Sequence, residues 1–257
     1  MKRILVTNDD GVHSDGIHAL AAALVPLGEV IVVAPHMEAS AIGHALTLRR
    51  PLRMERLRDH VYEVDGTPTD CVNIAFTQIF KGMPDLVVSG INKGFNLGDD
   101  VTYSGTVSGA LEGALLGVPS VAISLERVRG SYDFTHAAAA AATIAGMVLR
   151  GDMLQGRTFL NINVPHGRPK GFRLTVQARR NHITIVDERT DPRGQHYYWI
   201  EEGENDWEPH DRSDYQAVRD GYVSVTPLQP DLTDHSALSR LESLALEATP
   251  CDSPVPR

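Results

Sequence analysis

The chain has 257 residues, of which 42% are hydrophobic and 22% are charged, and it carries a formal net charge of −9 at pH 7. This size and composition favour one large α/β domain, or one domain with a small appendage, that buries a sizeable core. The negative charge argues against a protein that binds nucleic-acid polymers through a basic face. Cys71 and Cys251 are far apart, which excludes a disulfide framework and a thiolate metal site.

The N-terminus shows no secretory signal, because Met1-Lys2-Arg3 leads directly into an apolar run. We therefore expect a cytoplasmic protein. The most apolar stretch, Ala137–Leu149, is too short to cross a bilayer and predicts a buried helix instead. We accordingly expect no membrane association.

Residues 1–165 alternate apolar runs with segments of helical periodicity. Strands are predicted at Arg3–Thr7, Glu29–Ala34, Leu86–Ser89, Ser120–Ser124 and Thr158–Asn163. Helices are predicted at Ile17–Leu27, Pro68–Phe80, Thr106–Leu116 and Tyr132–Leu149. Strands that alternate with helices of this length predict a parallel sheet that is covered by helices on both faces.

The pattern changes after Pro165, and residues 166–257 are expected to complete the domain. Residues 172–210 predict hairpins and loops, with a turn at 191–194. A strand is predicted at Gly221–Pro227 and a helix at Ala237–Glu247, and the tail after residue 248 is expected to be loose. Aromatic residues in this part favour either a subunit interface or a satellite core cluster: Tyr197, Tyr198, Trp199, Trp207 and Tyr215.

The first predicted strand ends in the most informative motif of the chain, Asn8-Asp9-Asp10-Gly11. Ligands bind at the carboxyl ends of strands in an open parallel sheet. Two adjacent carboxylates repel each other unless a cation neutralises them, and their oxygens suit Mg²⁺, Mn²⁺ or Ca²⁺. The alternative is ordinary turn chemistry, in which Asp bonds its own backbone and Gly accepts a positive φ.

Three further polar segments follow predicted strands and should meet at the same edge of the sheet: residues 34–44, 89–100 and 103–109. The second is rich in Gly and Asn and long enough to indicate a functional loop. The third enters a helix at Ser104-Gly105-Thr106, where hydroxyls and free N–H groups can bind phosphate or simply cap the helix. No dinucleotide fingerprint, P-loop or nucleophile elbow is present.

Several charged or titratable side chains on these loops are first interpreted as solvated surface groups: His13, His36, His44, Glu38 and Lys93. A single loop histidine or lysine is more often a solvated residue than a ligand. They remain secondary candidates for the site.

A series of motifs extends over most of the chain, in order: Ile4–Gly11, Gly66–Val72, Val88–Asn92, Asn96–Asp100, Tyr103–Val107, Gly221–Leu228 and Asp231–Thr233. Together they closely resemble the SurE (survival protein E) family of 5′-nucleotidases. The resemblance implies a Rossmann-like, three-layer α/β/α sandwich with a mostly parallel sheet. It also implies a projecting hairpin and C-terminal arms that build homodimers or homotetramers.

The same resemblance implies a divalent-metal-dependent phosphatase that hydrolyses nucleoside 5′-monophosphates to nucleoside and phosphate, with a broad phosphomonoesterase activity of acid-phosphatase type. It implies one metal ion per subunit, Mg²⁺ or Mn²⁺, with the ligands Asp9, Asp10, Ser40 and Asn92. The two aspartates are also the expected catalytic residues. The expected phosphate-binding residues are Asn96, Ser104, Gly105 and Thr106.

One segment departs from the family pattern. The second loop reads His36-Met37-Glu38, where members of the family often carry Asp and Arg, so substrate contacts from this loop are not carried over. Two mechanisms stay open: attack by an activated water, or a covalent aspartyl-phosphate formed on Asp9 or Asp10. A metal-dependent nucleotide sensor without turnover is the alternative from a different functional class.

Overall fold

The computed structural model describes residues 1–39, 41–151, 153–181, 184–202 and 206–242. The strands of these residues are β1 (Arg3–Thr7), β2 (Glu29–Pro35), β3 (Met54–Arg58), β4 (Val61–Val64), β5 (Leu86–Lys93), β6 (Ser120–Leu125), β7 (Phe159–Val164), β8 (Phe172–Leu174), β9 (Arg180–Asn181), β10 (Thr184–Thr190), β11 (His196–Glu202), β12 (Asp206–Trp207) and β13 (Val223–Leu228). The helices are α1 (Asp15–Leu24), α2 (Pro68–Ile74), α3 (Gly105–Leu115), α4 (Thr135–Leu149), α5 (Asp214–Arg219) and α6 (His235–Glu242).

In the described chain, nine strands form the central sheet, in the order β3-β4-β2-β1-β5-β6-β7-β13-β8. Neighbouring strands are parallel except for the pairs β3/β4 and β7/β13. Helices α1 and α4 cover one face, and α2 and α3 cover the other. This three-layer α/β/α arrangement confirms the predicted fold class.

Strand β1 lies in the middle of the sheet because all of its central side chains are apolar. Ile4, Leu5 and Val6 are fully buried. Ile4 and Val6 join the core under α1 and α4, whereas Leu5 joins the core under α2. A continuous apolar run is what a strand covered on both faces requires. The polar residues that follow β1 therefore emerge at the carboxyl edge of the sheet.

Helix α3 packs close to the sheet because it presents a glycine at each of three successive turns. Gly105, Gly109 and Gly113 are four residues apart and therefore lie on one face of the helix. A Cβ at Gly105 would stand 2.7 Å from the Cβ of Asp9, and one at Gly109 would stand 2.8 Å from the Ser89 hydroxyl. This close approach puts the N-terminal turn of α3 against the end of β1.

The structure corrects the predicted C-terminal boundary of the strand that begins at Leu86. The sequence pattern ends this strand at Ser89, but β5 continues to Lys93. Pairing with β6 resumes at Asn92 after an irregularity in the register. Part of the predicted 89–100 loop thus belongs to the sheet. The apolar run alone underestimated the length of this strand, because polar residues can also form the backbone hydrogen bonds of a sheet.

Sequence patterns missed the β3–β4 hairpin and helix α5. Every side chain of β3 is exposed, so this edge strand shows no alternation of polar and apolar residues. Helix α5 has six residues, which is too short for a periodic signal. These elements are stabilised by tertiary contacts that a local pattern does not encode.

The C-terminal part adds β13 and β8 to the same sheet, next to β7. Strands β10 and β11 pair as a separate antiparallel hairpin, which closes at the predicted turn of residues 191–194. Helix α6 covers the first part of the predicted helix Ala237–Glu247. Residues 243–257, which include the rest of that helix and the predicted loose tail, lie outside the described residues.

Candidate metal and phosphate site

The polar loops predicted to converge do meet at the carboxyl edge of the sheet. The backbone N–H of Ala39, after β2, donates to the carbonyl of Asp9 at 2.8 Å. Further along the same loop, the N–H of Gly43 donates to the carbonyl of Tyr103 at 3.0 Å, just before α3. The loops after β1 and β2 and the start of α3 are therefore joined by backbone hydrogen bonds around the acidic pair.

Asp9 is buried against the first turn of α3. Its Oδ1 accepts a hydrogen bond from the Thr106 hydroxyl, and Gly105 leaves room for its side chain. Burial raises the pKa of Asp9 to about 6, an effect reinforced by the neighbouring Asp10 charge and opposed by the hydrogen bond from Thr106. Asp9 is therefore a carboxylate in fixed orientation whose charge is incompletely compensated by the protein.

Asp10 presents an acceptor that the described chain leaves unused. Its Oδ2 is buried and has no hydrogen-bond donor among the described residues. Burial raises the pKa of Asp10, the positive charge of Lys93 opposes that rise, and the charge of Glu38 adds to it. A buried acceptor without a donor costs about 1–3 kcal/mol. A cation bound between the two carboxyl groups would remove this cost.

The donor chemistry of the site fits a hard divalent metal ion. No group of three or more His, Cys, Asp or Glu side chains that suits a metal occurs in the described part of the chain. The expected ligand set consists of Asp9, Asp10 and neutral oxygens. An all-oxygen set of this kind suits Mg²⁺ or Mn²⁺ better than softer metals.

Asn92 is well placed to be one of the neutral ligands. It lies near the end of β5, and β5 pairs directly with β1. Its Nδ2 donates to the carbonyl of Gly94 at 2.9 Å, which fixes the amide group and leaves Oδ1 as its acceptor for a cation. Ser40, the other expected neutral ligand, lies outside the described residues, so its role stays a prediction.

Two of the expected phosphate-binding side chains at the start of α3 already form hydrogen bonds within the protein. The Ser104 hydroxyl accepts from the Val107 N–H at 3.0 Å and so caps the helix. The Thr106 hydroxyl donates to Asp9. The backbone of this first turn, including Gly105, keeps the positive end of the helix directed at the edge of the sheet. Phosphate binding by Ser104, Gly105 and Thr106 stays a prediction.

Asn96 is buried just after β5. Its Nδ2 donates to the Ser124 hydroxyl at 2.7 Å, and its N–H donates to Asn163 Oδ1 at 2.8 Å. Its carbonyl accepts from the side chains of Asn161 and Asn163. These contacts anchor the segment that follows β5, and the expected contact of Asn96 with phosphate stays a prediction.

Two buried residues that support the site were not among the expected site residues. Asn8 Nδ2 donates to the Gly11 carbonyl at 2.9 Å and to the Ser14 hydroxyl at 2.8 Å, which shapes the turn that carries the aspartates. Asp214 accepts the N–H groups of Gly98, Ala178 and Tyr215 and so fixes the segment after β5 from the other side. Only the position of Asn8 within the Asn-Asp-Asp-Gly motif was a usable signal.

A parallel sheet covered on both faces, with an acidic pair and a helix N-terminus at its carboxyl edge, defines a Rossmann-like α/β protein with a candidate polar site at that edge. Comparison with known sequences identifies the family. The family model described as "Survival protein SurE" matches residues 4–184. The chain belongs to the SurE family.

Relatives named "5′-nucleotidase SurE" match most of the chain. The protein from Syntrophotalea carbinolica is 54% identical over 232 residues, which cover 90% of this chain and 92% of the relative. The protein from Pelobacter propionicus is 50% identical over 238 residues, with 91% and 96% covered. The crystal structure of the SurE protein from Aquifex aeolicus is similar with a TM-score of 0.84 at 44% identity and covers 95% of this chain and 99% of its own.

Proposed function

We propose that this chain hydrolyses nucleoside 5′-monophosphates to nucleoside and phosphate with one divalent metal ion per subunit. The 5′-nucleotidase activity rests on relatives of that name, which are about half identical to this chain over nine-tenths of its length. The chain is a phosphomonoester hydrolase, and activity on other phosphomonoesters is part of the proposal. The metal requirement rests on the buried, unused Oδ2 of Asp10 beside Asp9.

Asp9, Asp10, Asn92 and Ser40 would hold the metal, which we propose to be Mg²⁺ or Mn²⁺. When bound, such an ion neutralises charge on the phosphate and lowers the pKa of a coordinated water. The chain itself contributes orientation: Thr106 fixes one oxygen of Asp9, and Gly94 fixes the amide of Asn92. The first turn of α3 supplies backbone N–H groups for the phosphate oxygens.

The β10–β11 hairpin supports a homodimer or homotetramer. Several large apolar side chains of the hairpin are exposed: Val186, Tyr197, Tyr198, Trp199 and Ile200. Exposed aromatic residues are typical of interfaces. By contrast, Trp207 and Tyr215 stack on each other within the chain at 4.5 Å, so they form a local cluster. A monomer in light scattering at micromolar concentration would contradict this part of the proposal.

We further propose a cytoplasmic location and a small-molecule substrate. None of the described helices has the length and apolar character needed to cross a membrane. The net charge of −9 supports a nucleotide substrate bound through a local site rather than a nucleic-acid polymer bound along a basic surface.

The deciding experiment measures phosphate release from AMP by the purified chain, before and after treatment with EDTA. We expect activity with Mn²⁺ or Mg²⁺, loss of activity with EDTA, and recovery after the metal is restored. A nucleotide sensor would instead bind AMP in a metal-dependent way without releasing phosphate. Full activity in metal-free buffer would contradict the metal requirement.

A further inference from the structure

Two basic residues lie at the same edge of the sheet as Asp10, whereas α3 holds Asp9. Lys93 ends β5, and Arg127 lies two residues after β6, the strand next to β5. Because β1, β5 and β6 are neighbouring parallel strands, both basic residues lie at the carboxyl edge of the sheet, where Asp9 and Asp10 follow β1.

Aromatic residues hold Lys93 in place. Its ammonium nitrogen lies 5.9 Å from the centre of the Tyr132 ring, within the range of a cation–π contact. Tyr132 in turn stacks on Phe134, with ring centres 5.8 Å apart, and Phe134 is buried. Lys93 is half-buried beside these rings. Its position is thus restricted at the edge of the site rather than extended into solvent.

Arg127 packs over the turn that orients Asn92. Its Nε and Nη2 would lie 3.6 Å and 3.7 Å from a Cβ at Gly94, where the glycine leaves the space open. The carbonyl of the same Gly94 accepts the amide of Asn92. The guanidinium group consequently stands next to a predicted metal ligand.

Neither Lys93 nor Arg127 forms an ion pair with a carboxylate among the residues that the structure describes. The charge balance of the site indicates a role for these two side chains. The charges of Asp9 and Asp10 cancel those of one divalent ion, so this core alone offers no net attraction to a phosphate dianion. Two cations at the rim would supply this attraction.

We propose that Lys93 and Arg127 bind the phosphate group of the phosphomonoester substrate, on the Asp10 side of the metal, while the first turn of α3 binds it on the Asp9 side. This inference rests on the proposed function. It makes Lys93 and Arg127 substrate-binding residues, although sequence patterns suggested a solvated surface charge for Lys93. The planar guanidinium group of arginine and the ammonium group of lysine commonly bind phosphate oxygens.

The test compares Lys93→Met, Arg127→Gln and Arg127→Lys with a control, Arg129→Gln, an exposed residue of the same loop. For each protein, the inhibition constant of inorganic phosphate and the KM for AMP are measured with Mn²⁺. Binding of Mn²⁺ alone is measured by calorimetry. We expect Lys93→Met and Arg127→Gln each to raise the phosphate inhibition constant and KM about tenfold, as for loss of one hydrogen bond to a charged group. Arg127→Lys should recover part of the loss.

Binding of Mn²⁺ should not weaken in these variants. Removal of a nearby positive charge lowers the repulsion of the metal, so Lys93→Met should bind Mn²⁺ as tightly as the wild type or about two- to threefold more tightly. Arg129→Gln should match the wild type in every measurement. A merely structural role of Lys93 or Arg127 would instead weaken metal and phosphate binding together and lower Tm.

Unchanged phosphate inhibition and KM in both charge-removing variants would overturn the inference, and so would a joint loss of metal and phosphate affinity. Failure of the proposed function is separable from this outcome. A wild-type protein that releases no phosphate from AMP, yet binds inorganic phosphate by calorimetry in a Lys93-dependent way, would contradict the nucleotidase and retain the phosphate site.

Discussion

The imidazole of His44 and the carboxylate of Glu112 form a 2.7 Å contact that ties the loop after β2 to the middle of α3. The other oxygen of Glu112 accepts from Asn73 of α2, also at 2.7 Å. The same loop is held to the start of α2 as well, where the Thr47 N–H donates to Asp70. Glu112 thus connects two helices with the loop that contains the predicted ligand Ser40.

Glu112 should make the stability of the protein depend on acid pH. Burial alone raises the pKa of Glu112, but the hydrogen bonds from His44 and Asn73 outweigh it, so the pKa is lowered. A carboxyl group with a lowered pKa stabilises the fold above its unfolded value, about 4.3, and loses that contribution as pH falls through the folded value. The Tm advantage of the wild type over Glu112→Gln should therefore be full at pH 7 and shrink below about pH 4.

Thermal unfolding from pH 7 to pH 3 measures this difference, with Glu55→Gln as the control because Glu55 is exposed on β3. Glu55→Gln should show a nearly constant and small difference from the wild type. A Tm difference between wild type and Glu112→Gln that stays the same at pH 7 and pH 3.5 would refute the assigned role.

Asp9→Asn and Asp10→Asn should each lower kcat for AMP by about two orders of magnitude or more, comparable with removal of a key electrostatic group. Both should also weaken Mn²⁺ binding in calorimetry. The metal-free variants should unfold no earlier than the wild type, because the repulsion between the adjacent carboxylates is relieved. Asp15→Asn, an exposed site at the start of α1, is the control. Wild-type turnover in either variant at saturating metal would remove that residue from the site.

Thr106→Val should affect the metal as well as the substrate, because the Thr106 hydroxyl donates to Asp9. Loss of a group that orients a metal ligand typically costs about 10–100-fold in metal affinity or activity. Ser104→Ala, which removes the helix cap, should instead cost about 1 kcal/mol of stability and leave Mn²⁺ affinity unchanged. If Thr106→Val alters only KM, the hydroxyl serves the phosphate directly, as the sequence suggested.

Asp214→Ala should destabilise the protein through the segment after β5. The substitution leaves the N–H groups of Gly98, Ala178 and Tyr215 without their acceptor, which should cost about 3 kcal/mol in the free energy of unfolding. Urea denaturation measures the loss, and Asp211→Ala at a nearby exposed position is the control. An equal effect of the two substitutions would show that the Asp214 contacts contribute nothing specific.

Much of the fold could be predicted because local patterns match the sheet directly. The apolar run of β1, the Asn8-Asp9-Asp10-Gly11 turn and the Ser104 cap of α3 are each encoded within a few residues. Such signals locate the edge of the sheet and the start of the helix. They predicted the convergence of the loops that the structure confirms.

The supporting contacts of the site could not be predicted in the same way, because they join distant parts of the chain. Thr106 reaches Asp9 across 97 positions, and His44 reaches Glu112 across 68. Asp214 reaches Gly98 across 116 positions. A single sequence carries no pairing information of this range. Residue types that look like surface charges or simple caps therefore acquire their roles only in three dimensions.

The glycine face of α3 also limits how such a site can diversify. Gly105 and Gly109 meet the side chains of Asp9 and Ser89 directly, so the N-terminal end of the helix stays at a fixed distance from Asp9. Substitutions in the core cannot tune this spacing gradually, since even one added methyl group would collide with the sheet. Variation among relatives would instead fall in loops such as the one after β2, where this chain departs from the family pattern at His36-Met37-Glu38.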